Sequence, residues 1–189
     1  MENFNTDITE SLNVLNNGGI ILYPTDTIWG IGCDATNAAS VKKIYQLKKR
    51  EEKKSMIILL AYEDDLKNYI LHPSEKIIDF LSNQTKPTTA IFQDAINLPD
   101  VLVNPDGSIA IRIIKDDFCR ELISRFKKPI VSTSANISGS EPPENYLNVS
   151  AEIKSGVDYI VQHRQNEMKT FEPSAIIRLN DSNEIEKIR

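Results

Sequence analysis

Apolar residues recur along this chain in short blocks of two kinds. The first kind has helical spacing: Ile8, Leu12 and Leu15 within 6–17, Val41, Ile44, Tyr45 and Leu47 within 38–49, and Phe118, Leu122 and Phe126 within 116–126. Intervals of three and four place these side chains on one helix face, and the lysines of 38–49 are expected on the other. Gly18-Gly19 supplies a stop for the first helix. The second kind is a compact run rich in β-branched residues or leucine, at 20–23, 56–60, 88–93, 108–114 and 129–132, with further runs at 157–162, 174–179 and 184–188. Helices are also expected near 63–70 and 74–83, while 25–35, broken by Gly30 and Gly32, reads as a loop or irregular extension. Helices and strands interleave, and some strands lie close enough for hairpins. The pattern predicts an α/β fold with a mixed sheet and leaves the strand order open.

Composition adds limits. The 189 residues, 40% hydrophobic and 26% charged, fit one globular domain with a real core, without internal repeats or a linker. No apolar run approaches the roughly 18 residues that span a bilayer. The N-terminal residues have neither a basic start nor an apolar stretch, so no signal peptide is expected. Cys33 and Cys119 fall in no metal-binding spacing and read as reduced thiols, which points to the cytoplasm. The net charge of −5 argues against a protein that coats nucleic acid with its whole surface. Residues 42–54 nevertheless carry seven basic residues against Glu51 and Glu52, a local +5 that leaves −10 for the rest. Such an island suits an anion such as a nucleotide's phosphates; a solvated helix end would look the same.

Three segments carry candidate chemistry. In 108–113 the isoleucines Ile109, Ile111 and Ile113 share one strand face, and Ser108, Ala110 and Arg112 share the other. Small neighbours leave room beside the Arg112 guanidinium, whose planar fork matches a carboxylate or phosphate, although a half-exposed sheet would also present an arginine there. Ser132-Thr133-Ser134-Ala135-Asn136 follows the run Lys128-Pro129-Ile130-Val131, so hydroxyls and an amide gather at a strand end, where open α/β sheets bind ligands. An ordinary polar turn fits that stretch equally well. Tyr23-Pro24-Thr25-Asp26-Thr27, followed by Gly30-Ile31-Gly32-Cys33-Asp34-Ala35, also begins at a strand end, but lacks a full dinucleotide fingerprint. Only His72 and His163 could serve a serine nucleophile as base, and neither has triad-like or metal-like surroundings. Positioning and positive charge, rather than a resident metal, are therefore expected to carry any reaction.

Taken in order, these segments resemble the YrdC/Sua5 family, the threonylcarbamoyl-AMP synthases that begin threonylcarbamoyladenosine (t6A) formation in tRNA. The resemblance rests on the Tyr23–Ala35 motifs, Leu47-Lys48-Lys49-Arg50, Pro87-Thr88-Thr89, Ile111-Arg112, Ser132–Asn136 with Ser138-Gly139, and Pro173-Ser174-Ala175-Ile176-Ile177. It implies a single YrdC-like domain over 1–189 without the Sua5 C-terminal extension, and a twisted sheet bearing a large concave, positively lined cavity. It implies the reaction of L-threonine, bicarbonate and ATP, with Mg²⁺ on the phosphates, to threonylcarbamoyl-AMP and pyrophosphate. By the same resemblance Thr27, Arg112, Ser132 and Ser174 fall on the threonine side. Lys48, Arg50, Lys54, Ser108, Ser134, Asn136 and Arg189 fall on the ATP side, with Lys48 and Arg50 as the catalytic pair. Downstream threonylcarbamoyl-transfer proteins, and tRNA or double-stranded RNA, are the implied partners.

The chain departs from the family pattern at several positions. Gln84-Thr85-Lys86-Pro87-Thr88-Thr89 keeps only the second proline and final threonine of the family's Trp-Pro-Gly-Pro-hydrophobic-Thr segment. Glu51 stands for the usual proline, Lys54-Ser55-Met56 replaces a glycine- or proline-containing stretch, and Leu59 stands for a histidine. Loops 50–55 and 138–146 are candidates to close the pocket of this short form. Two other readings stay open: an RNA-binding module using the 42–54 stretch, and a carbamoyl-adenylating enzyme with another substrate.

Overall fold

The computed structural model describes residues 4–52, 56–168 and 173–189. Five α-helices are described, α1 (Asn5–Asn16), α2 (Ala38–Lys48), α3 (Glu75–Ser82), α4 (Asp117–Phe126) and α5 (Ala151–Ser155). The strands are β1 (Ile21–Tyr23), β2 (Gly30–Gly32), β3 (Ile57–Leu60), β4 (Thr88–Phe92), β5 (Ile109–Ile113), β6 (Ile130–Ser134), β7 (Tyr159–Ile160), β8 (Ala175–Leu179) and β9 (Ile185–Lys187). They join one mixed sheet in the order β7-β1-β2-β6-β3-β5-β4-β8-β9. The pairs β1–β7, β3–β5 and β4–β8 are parallel; the other pairs are antiparallel. The expected α/β class with a mixed sheet is borne out. Among the described residues no helix is long and apolar enough to cross a membrane.

Burial follows the pleat. On one face Leu22, Ile31, Ile58, Leu60, Ile111 and Val131 pack against Val41 and Ile44 of α2, Ile77 and Leu81 of α3, and Ile153 of α5. On the other, Ile21, Tyr23, Leu59 and Ile130 pack against Ile8 and Leu15 of α1 and against Phe118, Leu122 and Phe126 of α4. Alternate residues of each strand serve opposite cores, so the register is fixed on both sides. Arg112 lies opposite Leu59 on β3 and opposite Thr89 on β4, and therefore stands on the α1/α4 face. Ser132 and Ser134 stand there too, in step with Ile130. The two helices cover the Leu59–Ile130 part of this face. Small and polar side chains take over beyond it.

Four expectations are corrected. Gly30–Gly32 is a strand, not a loop, paired with β1 and β6. Its glycines hid it from propensity: a Cβ on Gly32 would lie 2.7 Å from the Tyr23 ring and 2.7 Å from the Val131 carbonyl oxygen, so the close approach excludes any side chain. Residues 63–70 form a 3-10 helix, Glu63–Asn68, rather than an α-helix, burying only Leu66. The run at 129–132 continues to Ser134, so Ser132–Ser134 belongs to the strand itself. Lys48, expected outside with the other lysines of α2, is 1% exposed. The first helix does end where the glycines stop it, with Gly18 at φ +72° and the Gly19 N–H on the Val14 carbonyl at 2.9 Å.

Candidate active site

The loop after β1 folds over the α1/α4 face of the sheet. Thr25 organises it: its hydroxyl donates to the Ile28 carbonyl at 2.8 Å and accepts from the Thr27 N–H at 3.0 Å. With that single hydroxyl hydrogen committed, the 2.9 Å contact between the two threonine hydroxyls has Thr27 as donor. Thr27 Oγ1 is then left as an acceptor, and Arg112 Nη1 donates to it at 3.3 Å. Arg112 Nη2 also lies 3.3 Å from Asp26 Oδ1. The pair is buried, with the Arg112 side chain 3% and the Asp26 side chain 14% exposed. Burial pushes the Asp26 carboxyl above the usual carboxylate range, against the opposing pull of Arg112. Arg112 Nε and Asp26 Oδ1 are both buried and without a hydrogen-bond partner, since the Asp26 contact is an ion pair lacking hydrogen-bond alignment. Polar atoms left so in a core mark a place where a ligand can complete the bonding.

The neighbouring strands extend this group. Thr89, the cross-strand partner of Arg112, shares a 2.9 Å hydroxyl contact with Ser174. Ser174 stands at the entry to β8, and its carbonyl accepts from Arg189 Nε at 3.3 Å and Nη2 at 3.1 Å. The four residues Thr27, Arg112, Ser174 and Arg189 are thus brought together, although Arg189 was expected on the ATP side. The buried Tyr23 phenol donates to the Val131 carbonyl at 3.4 Å, and its burial keeps it un-ionised at any ordinary pH. Thr89 and Asp26 were missing from the sequence-derived site. Both sit within motifs, but only the strand order and the path of the loop place them against Arg112.

A second group gathers at the C-terminal end of α2. Lys48 Nζ donates to the Ser134 carbonyl and, at 2.6 Å, to the Asn136 carbonyl. The Lys48 carbonyl in turn accepts from the Ser138 N–H at 2.8 Å. Burial, and secondly the Arg50 charge, lower Lys48 to about 8. Asn136 Nδ2 donates to the Ile137 and Ser140 carbonyls at 3.0 and 2.6 Å, leaving its Oδ1 buried and without a partner. Ser108 immediately precedes β5 and accepts from Asn104 Nδ2 at 2.9 Å. β6 links the two groups, because Ser132 and Ser134 project from the same face. Lys54 lies outside the described residues.

Two further lysines of the basic stretch make contacts within the fold. Lys43 donates to the Gly18 carbonyl at 2.9 Å, and Lys49 pairs with Glu152 at 2.9 Å. Both cysteines are free and buried, and burial raises both thiols, so neither is a nucleophile near neutral pH. Among the described residues no group of three or more His, Cys, Asp or Glu could hold a metal ion. A cavity of about 1470 Å³ lies beside Asp26, bounded by Gln84–Thr88, the start of α4 and the 162–167 loop. Its wall mixes Lys86, Lys115 and Arg120 with Asp117 and Glu121, and among the described residues none of those expected to bind threonine or ATP lines it.

Comparison with known proteins identifies the family of the chain. The family model for Sua5, YciO and YrdC, described as "Telomere recombination", matches residues 13–189. A threonylcarbamoyl-AMP synthase of Enterobacter sp. (strain 638) is 31% identical over 157 residues, covering 82% of this chain and 83% of that protein. A putative threonylcarbamoyl-AMP synthase of Methanocaldococcus jannaschii is 34% identical over 168 residues, covering 87% of this chain and 76% of the relative. Among solved structures, the P. abyssi Sua5 complexed with L-threonine superposes with a TM-score of 0.86 at 22% identity, over 97% of this chain. This chain spans about half, 54%, of that Sua5. The motifs along the sequence, the nine-stranded sheet and these matches make the chain a member of the Sua5/YciO/YrdC family.

Proposed function

We propose that the protein makes L-threonylcarbamoyl-AMP from L-threonine, bicarbonate and ATP, releasing pyrophosphate, as the first step of t6A formation in tRNA. The observation that carries this reading is the buried Arg112, forked against Thr27 and Asp26 and still holding an unpartnered Nε, at one end of β6, with Lys48 and Asn136 at the other. Arg112 takes the threonine carboxylate, and the Thr27, Ser132 and Ser174 hydroxyls orient the rest of the amino acid. The threonine amine adds to CO₂ derived from bicarbonate, with loss of a proton and formation of the carbamate C–N bond. A carbamate oxygen then attacks the α-phosphorus of ATP, and the bond to the bridging oxygen breaks as pyrophosphate leaves. The carbamate is itself the nucleophile, so no histidine base is needed.

Negative charge grows on the leaving pyrophosphate. Lys48 and Arg50 offset it, and Ser108, Ser134 and Asn136 fix the nucleotide. Lys54 joins the same side on the family resemblance alone. Mg²⁺ enters with ATP, held by phosphate oxygens. Later steps fall to threonylcarbamoyl-transfer proteins and tRNA, in the cytoplasm. The RNA-module reading draws no support from Lys43 and Lys49, which are already engaged within the fold.

The test is pyrophosphate release from ATP, Mg²⁺ and bicarbonate with and without L-threonine, with mass spectrometry for the adduct. Threonine-dependent release with threonylcarbamoyl-AMP is the expected result. Release without a threonine requirement would assign another carbamoyl-adenylated substrate instead.

A further inference from the structure

The segment that leaves β6 turns back on itself just beyond Asn136. The Ser140 N–H donates to the Ile137 carbonyl at 3.1 Å, and Gly139 stands at φ +91°, so 137–140 is a tight turn whose third position needs a left-handed backbone. A Cβ on Gly139 would meet nothing within 4 Å, so glycine serves the backbone angle there and not a close approach. The turn is held twice over. Asn136 Nδ2 donates to the Ile137 carbonyl at 3.0 Å and to the Ser140 carbonyl at 2.6 Å. The Ser138 N–H donates to the Lys48 carbonyl at 2.8 Å, while Lys48 Nζ holds the Asn136 carbonyl at 2.6 Å.

These bonds decide what Asn136 can offer a ligand. Its two amide hydrogens are both spent on carbonyls. Swapping the amide oxygen and nitrogen would set Oδ1 against the same two carbonyl oxygens, so the orientation is settled. The remaining polar atom, Oδ1, is buried, has no partner and can only accept. An ionised phosphate oxygen also only accepts, so this side chain has nothing to give it. The turn itself does carry free donors. Among the described residues the Ser138 hydroxyl and the Gly139 N–H make no hydrogen bond. They follow Ser134, whose carbonyl Lys48 Nζ also holds.

We propose that Asn136 is a positioning residue of the nucleotide end and not a ligand of the phosphates: its amide closes the 137–140 turn, and the Ser138 hydroxyl and Gly139 N–H on that turn take phosphate oxygens. The nucleotide in this statement rests on the proposed function; the closure of the turn by Asn136 does not. A hydroxyl and a backbone N–H next to a lysine suit an anion, because a charged acceptor makes the stronger hydrogen bond. Asn136 and Lys48 brace the same turn, one through its side-chain amide and the other through its carbonyl and ammonium group.

The experiment is amide hydrogen exchange in the nucleotide-free protein, read at the Ser138 and Ser140 N–H groups, alongside calorimetry with ATP and with L-threonine. Asn136→Ala and Asn136→Asp both withdraw the amide hydrogens, so both N–H groups should exchange about fivefold faster or more, as in a locally loosened turn. Ser134→Ala removes a nucleotide-side hydroxyl without touching the turn, so its exchange should stay native while its ATP affinity falls. ATP should bind Asn136→Ala about tenfold more weakly, as for one lost charged hydrogen bond, with L-threonine binding unchanged. Gly139→Ala strains only the turn and should weaken ATP by a similar factor. Both act through one turn, so the double variant should lose clearly less than the product of the two single losses. Native exchange in both Asn136 variants, or losses that multiply in full, overturns the proposal. Should the native protein bind no ATP, the proposed nucleotide falls, and the exchange rates alone still decide the role of Asn136.

Discussion

The two ends of the site are built differently. At the Arg112 end, side chains from four separate parts of the chain meet one another directly: the 25–27 loop, β5, β4 and the entry to β8. At the Lys48 end, one long side chain holds backbone carbonyls of a single segment, Ser134 and Asn136, and the side chains of those two residues hang from that segment. Side-chain networks fix angles, because each partner removes a rotamer choice from the next. A carbonyl clamp fixes a path for the chain and leaves the hydroxyls on it free to adapt. The difference matches what the two substrates demand. A small amino acid must be chosen by its carboxylate and hydroxyl, whereas a triphosphate is held by charge spread over many oxygens.

The largest effect should come from the assembled end. Arg112→Ala leaves Asp26 buried without its closest opposite charge, a change that costs about 3–5 kcal/mol in comparable buried pairs. We expect its kcat/KM for threonine to fall by two orders of magnitude or more, roughly the loss of a bidentate charged contact. Arg112→Lys keeps the charge without the fork and should fold, yet still raise the threonine KM while leaving that for ATP nearly unchanged. Normal kinetics in either variant would remove Arg112 from the site.

Arg50→Ala should show the reverse split, with the ATP KM raised about 10- to 100-fold by loss of one charge-assisted contact and threonine use little altered. A pure threonine defect would erase the division between the ends. Thr27→Val retains shape but withdraws the acceptor from Arg112 Nη1, and a threonine KM about tenfold higher is expected from one lost hydrogen bond.

The smallest effect is one of pH. Lys48 titrates at about 8 in the fold, so the ATP KM should rise as the pH passes through that value. Its folded pKa lies below the 10.5 of a free lysine, so the cost of burying the charge is present below about 8 and is relieved on going up toward 10.5. The Lys48 contribution to stability therefore grows over the range in which activity falls. Lys48→Arg should abolish that alkaline limb. A limb that persists in the arginine variant would assign it to another group.

The helical stripes were legible because apolar period and burial coincide. Phe118, Leu122 and Phe126 of α4 are all buried as their spacing requires. Alternation in β5 likewise puts Ile109 and Ile111 in one core and Arg112 on the opposite face. What surrounds Arg112 there was not legible. Thr89 becomes its neighbour only because β4 lies beside β5 in the sheet, and Asp26 only because the 25–27 loop crosses the sheet face. Lys48 was misplaced because helical period says nothing of a last-turn lysine that finds carbonyls inside. Gly30–Gly32 was lost for the reason that it exists: contact with Tyr23 and Val131 demands glycine, and glycine erases the strand signal. The Arg164–Asp116 pair joins residues 48 apart in sequence, and no local pattern announces it.

The most direct measurement is calorimetric titration of L-threonine into the protein without nucleotide. The Arg112 end is already assembled through Thr27, Asp26, Thr89 and Ser174. L-Threonine is therefore predicted to bind alone, and Arg112→Lys to weaken that binding. Binding that appears only after ATP is added would contradict a preassembled amino-acid site.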